Sequence, residues 1–171
     1  LYAFCRRVDD IVDGDWLPVI DLSHLDESAL QRSIQMSVDR QQDLDSDNPE
    51  HISKVKALLY YRLSLDSIEQ GKAQTDPIFI ALADVYKKFP IELDNLRELI
   101  TGMEDDLFAT NYERFEQLRQ YCYRVASTVG LCLVEIYGYS DPNARRHAVE
   151  MGIYLQMVNV LRDIQEDLAR D

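Results

Sequence analysis

Residues 155–171 read LQMVNVLRDIQEDLARD, and the fold turns on this stretch. Taken as an α-helix, it puts Gln156, Asn159, Asp163 and Asp167 three, four and four residues apart, on one face. Gly152 and Ala148 continue the row upstream. Apolar residues flank it on both sides: Leu155, Met157, Val158, Val160, Leu161, Ile164 and Leu168. A helix with apolar flanks around an acidic row is expected at the centre of a bundle, with its acids facing an interior cavity.

The start of the chain carries a second row. In LYAFCRRVDDIVD (residues 1–13), helical spacing aligns Tyr2, Arg6, Asp9 and Asp13. Two carboxylates four apart repel by roughly a few tenths of a kcal/mol. Phe4, Val8, Ile11 and Val12 surround them, so at least part of the helix is expected to be buried, where an unpartnered carboxylate is costly. A hard cation reverses that cost; Mg²⁺ takes one or two carboxylates and completes its shell with water or phosphate. With 31 acidic residues, chance pairs such as Asp39/Asp43, Asp43/Asp47 and Asp94/Glu98 also occur. Asp39, Asp43 and Asp47 lack apolar flanks and read as solvated surface. The two rows named first have those flanks, and an arginine stands beside each, Arg6 and Arg162.

Composition narrows the class. The 171 residues are 46% apolar and 29% charged, ordinary for a globular domain. Six glycines and five prolines are few breakers, which favours helix over sandwich or barrel. A net charge of −13 excludes general nucleic-acid binding and does not help docking to anionic lipid. Anionic substrates stay admissible if divalent cations intervene. Cys5, Cys122 and Cys132 form no metal or redox motif and read as small buried hydrophobes in a reducing compartment. No apolar run is long enough to span a bilayer. The chain opens at Leu1 in mid-pattern and closes at Asp171 in a charged run, so both ends read as cut.

Between the rows, the pattern predicts further helices. Gly14 stops the first, and residues 14–25 read as loop. A helical composition runs from Asp26 to about Asp45, followed by a solvated connection to Pro49. His51 to Gln70 is predicted helical, with Val55, Leu58, Leu59, the Arg62 stem and Leu65 on one face. Thr75-Asp76-Pro77 signals a helix start, with an end near Phe89 before Pro90. Residues 91–107 follow, with Leu93, Leu96, Leu99, Ile100 and Met103 on one side. One long helix is predicted from Glu113 to Tyr137, closed by Gly138. Ser140-Asp141-Pro142 opens the last. The expectation is a single all-α domain over residues 1–171, with six or seven helices.

Four stretches carry a family resemblance. YAFCRRVDDIVD (Tyr2 to Asp13) resembles the first aspartate-rich motif of squalene and phytoene synthases. ITGMEDDL (Ile100 to Leu107) resembles their Gly-Met-acidic helix, and YCYRVASTVG (Tyr121 to Gly130) their tyrosine–valine–alanine helix. LQMVNVLRDIQEDLARD is similar to the second aspartate-rich motif. The resemblance implies the all-α isoprenoid-synthase (terpenoid synthase) bundle with a central cavity, here partial, its N-terminal start and C-terminal helices missing. It implies a prenyltransferase that condenses two prenyl diphosphates, farnesyl or geranylgeranyl, head to head through a cyclopropyl intermediate. The products in view are squalene, dehydrosqualene and phytoene, with NADPH needed only for squalene.

Carried over by position, the resemblance implies Mg²⁺ on Asp9 and Asp13 and on Asn159, Asp163 and Asp167. It puts Arg6, Tyr121 and Gln156 at diphosphate or its metal shell, and Val125, Ala126, Gly130 and Gly152 along the prenyl tails. Many relatives have Gly where Ser127 stands. The implied location is cytoplasmic, with peripheral membrane contact through a lipid product; oligomeric state stays open.

Several residues keep two readings. Tyr121 also fits a core tyrosine, Gly130 and Gly152 plain helix contact, and Gln156 an interhelical hydrogen bond. Glu104, Asp105 and Asp106 either reach the cavity or cap an exposed helix end. His24, His51 and His147 read as surface, and nothing activates Cys5 or Cys122 as nucleophiles. The rivals are a head-to-tail prenyl synthase or terpene cyclase and, from another class, a non-catalytic helical interaction module. The absence of Glu-x-x-His disfavours a di-iron bundle.

Overall fold

The computed structural model describes residues 1–16, 49–107 and 112–167, the last four of these by backbone alone. The expected elements between Leu17 and Asn48, and His24 with them, lie outside the described residues. Among the described residues every regular element is helical. In chain order they are α1 (Tyr2–Asp13), α2 (Pro49–Glu69), α3 (Pro77–Lys88), α4 (Leu93–Asp106), α5 (Phe115–Cys122), a π turn (Tyr123–Ser127), α6 (Thr128–Tyr137) and α7 (Ala144–Asp167). None of these helices is long and apolar enough to cross a membrane. The chain folds as two compact units, Leu1–Asp84 with Met103–Thr110, and Val85–Gly102 with Asn111–Asp171.

In the first unit, α1 buries Phe4, Val8, Ile11 and Val12. These fall on one side at steps of four, three and one, leaving Arg6 and Asp13 exposed. Gly14, at φ +83°, stops the helix in the left-handed region that only glycine enters cheaply. Helix α2 buries Val55, Leu58, Leu59, Tyr61, Leu65 and Ile68. Three helices meet in an aromatic knot. Tyr61 of α2 lies 4.9 Å from Phe79 of α3 and 5.4 Å from Phe4 of α1, centroid to centroid, in tilted and edge-on geometries. Such pairs contribute about 0.5–1.5 kcal/mol each beyond the area they bury. The predicted cap of α3 forms: the Asp76 carboxylate accepts the Ile78 N–H at 2.8 Å.

Two sequence expectations change in this unit. Glu104 does not end in solvent. It is 7% exposed and paired with Arg62 across 3.0 Å. A buried carboxylate needs such a partner, and Arg62, whose stem lies along the apolar face of α2, provides it. His51 is not on the surface but half-buried in the first turn of α2. Burial, then the charge of Lys54, holds its pKa below the ordinary imidazole value.

In the second unit, Leu93, Leu96, Leu99 and Ile100 of α4 are buried as the spacing predicts. The long helix expected over 113–137 is interrupted. At the π turn the Thr128 N–H donates to the Tyr123 carbonyl, five residues back. A wide turn leaves a carbonyl without its usual partner, and the Thr128 hydroxyl takes up that of Arg124 at 2.6 Å. Glycines let three helices approach closely. A Cβ on Gly102 of α4 would lie 2.6 Å from the Arg124 Cβ, and one on Gly152 of α7 would lie 2.6 Å from the Ser127 Cα. Arg145 of α7 ties Glu92 at 2.8 Å and also pairs with Glu135 of α6. Helix α7 starts at Ala144, after a turn in which the Asp141 carboxylate accepts the Asn143 N–H at 2.8 Å.

Candidate active site

On α1, in the first unit, Asp9 is half-buried and Asp13 exposed. Arg6 donates to Asp9 at 2.8 Å and pairs with Asp10 at the same distance. Burial, first, and the negative charge of Asp13, second, raise the Asp9 pKa above the ordinary carboxylate value, and Arg6 only partly opposes them. Asp9 and Asp13 together offer the carboxylate oxygens that a hard cation takes. Asp10 was not singled out from the sequence. Its side chain is only 15% exposed, deeper than that of Asp9 at 38%, and it fixes the second arm of Arg6. The adjacent aspartates of VDD were the signal for it.

On α7, in the second unit, Gln156, Asn159 and Asp163 are half-buried along the predicted face. The Asn159 amide reaches the Gln156 carbonyl oxygen at 3.5 Å, a weak contact. Arg162 holds Asp163 through Nε at 2.7 Å and Nη2 at 3.3 Å. Asp167 is the last residue of the helix, and its side chain lies outside the described residues. The apolar flanks differ from expectation. Leu155, Val158 and Leu161 are exposed, in one row with Met151 and Tyr154. Gly152, in the row itself, and its neighbour Ile153 are buried, because that side packs on the π turn and α6.

The register of α7 can be read from its glycines. Ala148 lies against Gly130, and Gly152 against Ser127. One number rises as the other falls, so the helices run antiparallel. The Ser127 hydroxyl pins this register by donating to the Val149 carbonyl at 2.7 Å. The same register carries Gln156 and Asn159 toward α5, which also packs on α7 and which bears Tyr121. Tyr121 is half-buried, its ring 5.4 Å from that of Tyr112. Val125 and Ala126 lie half-buried in the π turn, with Val125 against Gly102. Gly130 and Gly152 each stand at a close helix approach.

Among the described residues, no three His, Cys, Asp or Glu side chains converge on one metal-sized point. The oxygen donors present suit Mg²⁺, which binds through one or two carboxylates and substrate phosphates rather than an all-protein cage. The three cysteines form no disulfide. Burial pushes the Cys5 thiol up to about 11 and raises that of Cys122, the direction opposite to nucleophile activation.

Comparison with known proteins agrees with these motifs. The chain is 28% identical to a phytoene synthase of Arthrospira platensis, over 99% of this chain and 48% of that protein. It is 30% identical to a phytoene synthase of Mycobacterium tuberculosis, over 98% of this chain and 43% of the relative. It therefore spans a little under half the length of these relatives. A solved squalene synthase, HpnC from Alicyclobacillus acidocaldarius, superposes with a TM-score of 0.63 at 24% identity, over 98% of this chain and 63% of that one. The all-helical fold is thus that of a squalene synthase. The sequence profile of the squalene/phytoene synthases matches residues 1–171, and the chain belongs to the squalene/phytoene synthase family.

Proposed function

We propose that this chain supplies the catalytic helices of a Mg²⁺-dependent prenyltransferase that joins two prenyl diphosphates head to head. One observation carries the reading. In a chain of this family, two rows of oxygen donors lie on two helices, Asp9/Asp13 on α1 and Asn159/Asp163 on α7, and each row includes a carboxylate held by an arginine. Asp9, Asp13, Asn159, Asp163 and Asp167 would hold the metal. When bound, Mg²⁺ supplies Lewis-acid charge at the departing diphosphate.

The chain's own residues do the rest. Arg6, now shared between Asp9 and Asp10, has the planar fork that suits a diphosphate. Tyr121 and Gln156 donate to diphosphate oxygens or their metal shell. Val125, Ala126 and the close-packed helices around Gly130 and Gly152 keep water from the prenyl tails, where positive charge develops on carbon. In this reading residues 1–171 form one partial domain that contributes both rows. C1 of one farnesyl or geranylgeranyl diphosphate bonds to the C2–C3 double bond of the other, through a cyclopropyl diphosphate. Squalene, dehydrosqualene or phytoene follows, with NADPH consumed only for squalene. The prenyl products would bring the enzyme to membrane surfaces as a peripheral protein. The phytoene synthase names of the relatives favour this bond over head-to-tail elongation or cyclisation.

The test gives the full-length enzyme farnesyl and geranylgeranyl diphosphate with Mg²⁺, with and without NADPH, and identifies the hydrocarbon. A Mg²⁺-dependent head-to-head product is expected. Asp9→Ala and Asp163→Ala are each expected to abolish turnover while helicity is kept. Full turnover in either variant would refute the metal roles.

A further inference from the structure

We propose that Tyr112 is a positioning residue for Tyr121, bracing its ring so that the phenol hydroxyl meets the diphosphate; this rests on the prenyl diphosphate reading above. The two rings lie 5.4 Å apart at an interplanar angle of 33°. That spacing is in the range of offset aromatic pairs. The contact does not come from helical periodicity. Tyr112 precedes α5, whereas Tyr121 lies six residues past its first residue, Phe115, about 9 Å along the axis at 1.5 Å per residue. The rings meet although Tyr112 lies outside the helix that carries Tyr121.

The start of α5 fixes that approach. The Arg114 N–H donates to the Gln117 side-chain oxygen at 2.9 Å, and the Gln117 N–H returns to the Arg114 carbonyl at 3.0 Å. The backbone is therefore pinned two residues after Tyr112. Tyr112 keeps 36% of its surface exposed, while Tyr121 is half-buried. The outer ring thus covers part of the inner one and restricts its rotation. A tyrosine that must meet a charged leaving group needs that restriction, because a misplaced donor loses most of its effect on the transition state.

The experiment uses the full-length enzyme with its prenyl diphosphate and Mg²⁺, and compares Tyr112→Phe, Tyr112→Leu, Tyr112→Ala, Tyr121→Phe and the double variant Tyr112→Ala/Tyr121→Phe. Phe at 112 keeps the ring and is expected to stay within about twofold of wild type in kcat. Leu and Ala are expected to lower kcat about tenfold, with KM changed less than about threefold and helicity by circular dichroism unchanged. The double variant is expected to be no slower than Tyr121→Phe alone, because Tyr112 acts only through Tyr121. Multiplying losses, or wild-type kcat in Tyr112→Leu, would overturn the assignment. Wild-type kcat in Tyr121→Phe would instead remove the diphosphate role of Tyr121, and this inference with it.

Discussion

Asp9 sits where stability and chemistry pull in opposite directions. Burial and Asp13 raise its pKa, so the folded chain holds that proton more tightly than the unfolded chain does. The group favours folding most at acid pH, and that advantage is lost as pH rises through its raised value. Asp9→Asn is therefore expected to raise the melting temperature of metal-free protein at pH 7, with the gain shrinking as pH falls and vanishing below the ordinary carboxylate pKa, where both states are protonated. A lower melting temperature for the variant at pH 7 would contradict this. Tyr61 gives a second test. Its hydroxyl is buried with no hydrogen-bond partner among the described residues, and burial raises its pKa. Tyr61→Phe is expected to be neutral or to stabilise by about 1 kcal/mol in urea unfolding. A loss of that size would mean that the hydroxyl is partnered in solution. The spacing of Asp9 and Asp13 was legible in the sequence because helix geometry alone sets it. The burial of Glu104 was not, because it depends on Arg62, 42 residues away.

The helices themselves were mostly legible, since apolar spacing and the signals at Gly14, Asp76-Pro77 and Gly138 survive whatever the chain packs against. The π turn was not. Inserting one residue into a helical turn changes neither composition nor local propensity, and only the tertiary fit of Ser127 to α7 shows why the turn is there. Tyr112 escaped for a related reason: its contact with Tyr121 is made by the path of a loop. The apolar flanks of α7 misled in one respect, because periodicity marks a face as apolar without saying what covers it. At this scale the close approach of α7 to the π turn is the feature to test. Gly152→Ala would put a methyl 2.6 Å from the Ser127 Cα, and backbone cannot give way as a flexible side chain can. We expect a loss of about 1–3 kcal/mol in denaturant unfolding, the usual cost of overpacking, and a fall in turnover as the row from Gln156 to Asp163 shifts. Unchanged stability would mean that α7 can slide at no cost, and the register argument would fail.

Across the molecule, the described residues divide into two units, and each contributes one row of oxygen donors. The alignment of each row was legible in the sequence, because helix geometry alone sets the spacing of its residues. It did not give the depth of each carboxylate, which follows from neighbours distant in the chain. The two rows share one chemical task only if metal and diphosphate bind both. The most direct measurement is anomalous scattering from crystals of the full-length enzyme grown with Mn²⁺ in place of Mg²⁺ and a non-hydrolysable prenyl thiodiphosphate. The account predicts Mn²⁺ peaks within coordination distance of Asp9 or Asp13 and of Asn159, Asp163 or Asp167, with the thiodiphosphate bound to the metal. Peaks elsewhere, with both rows free of metal and diphosphate, would contradict it.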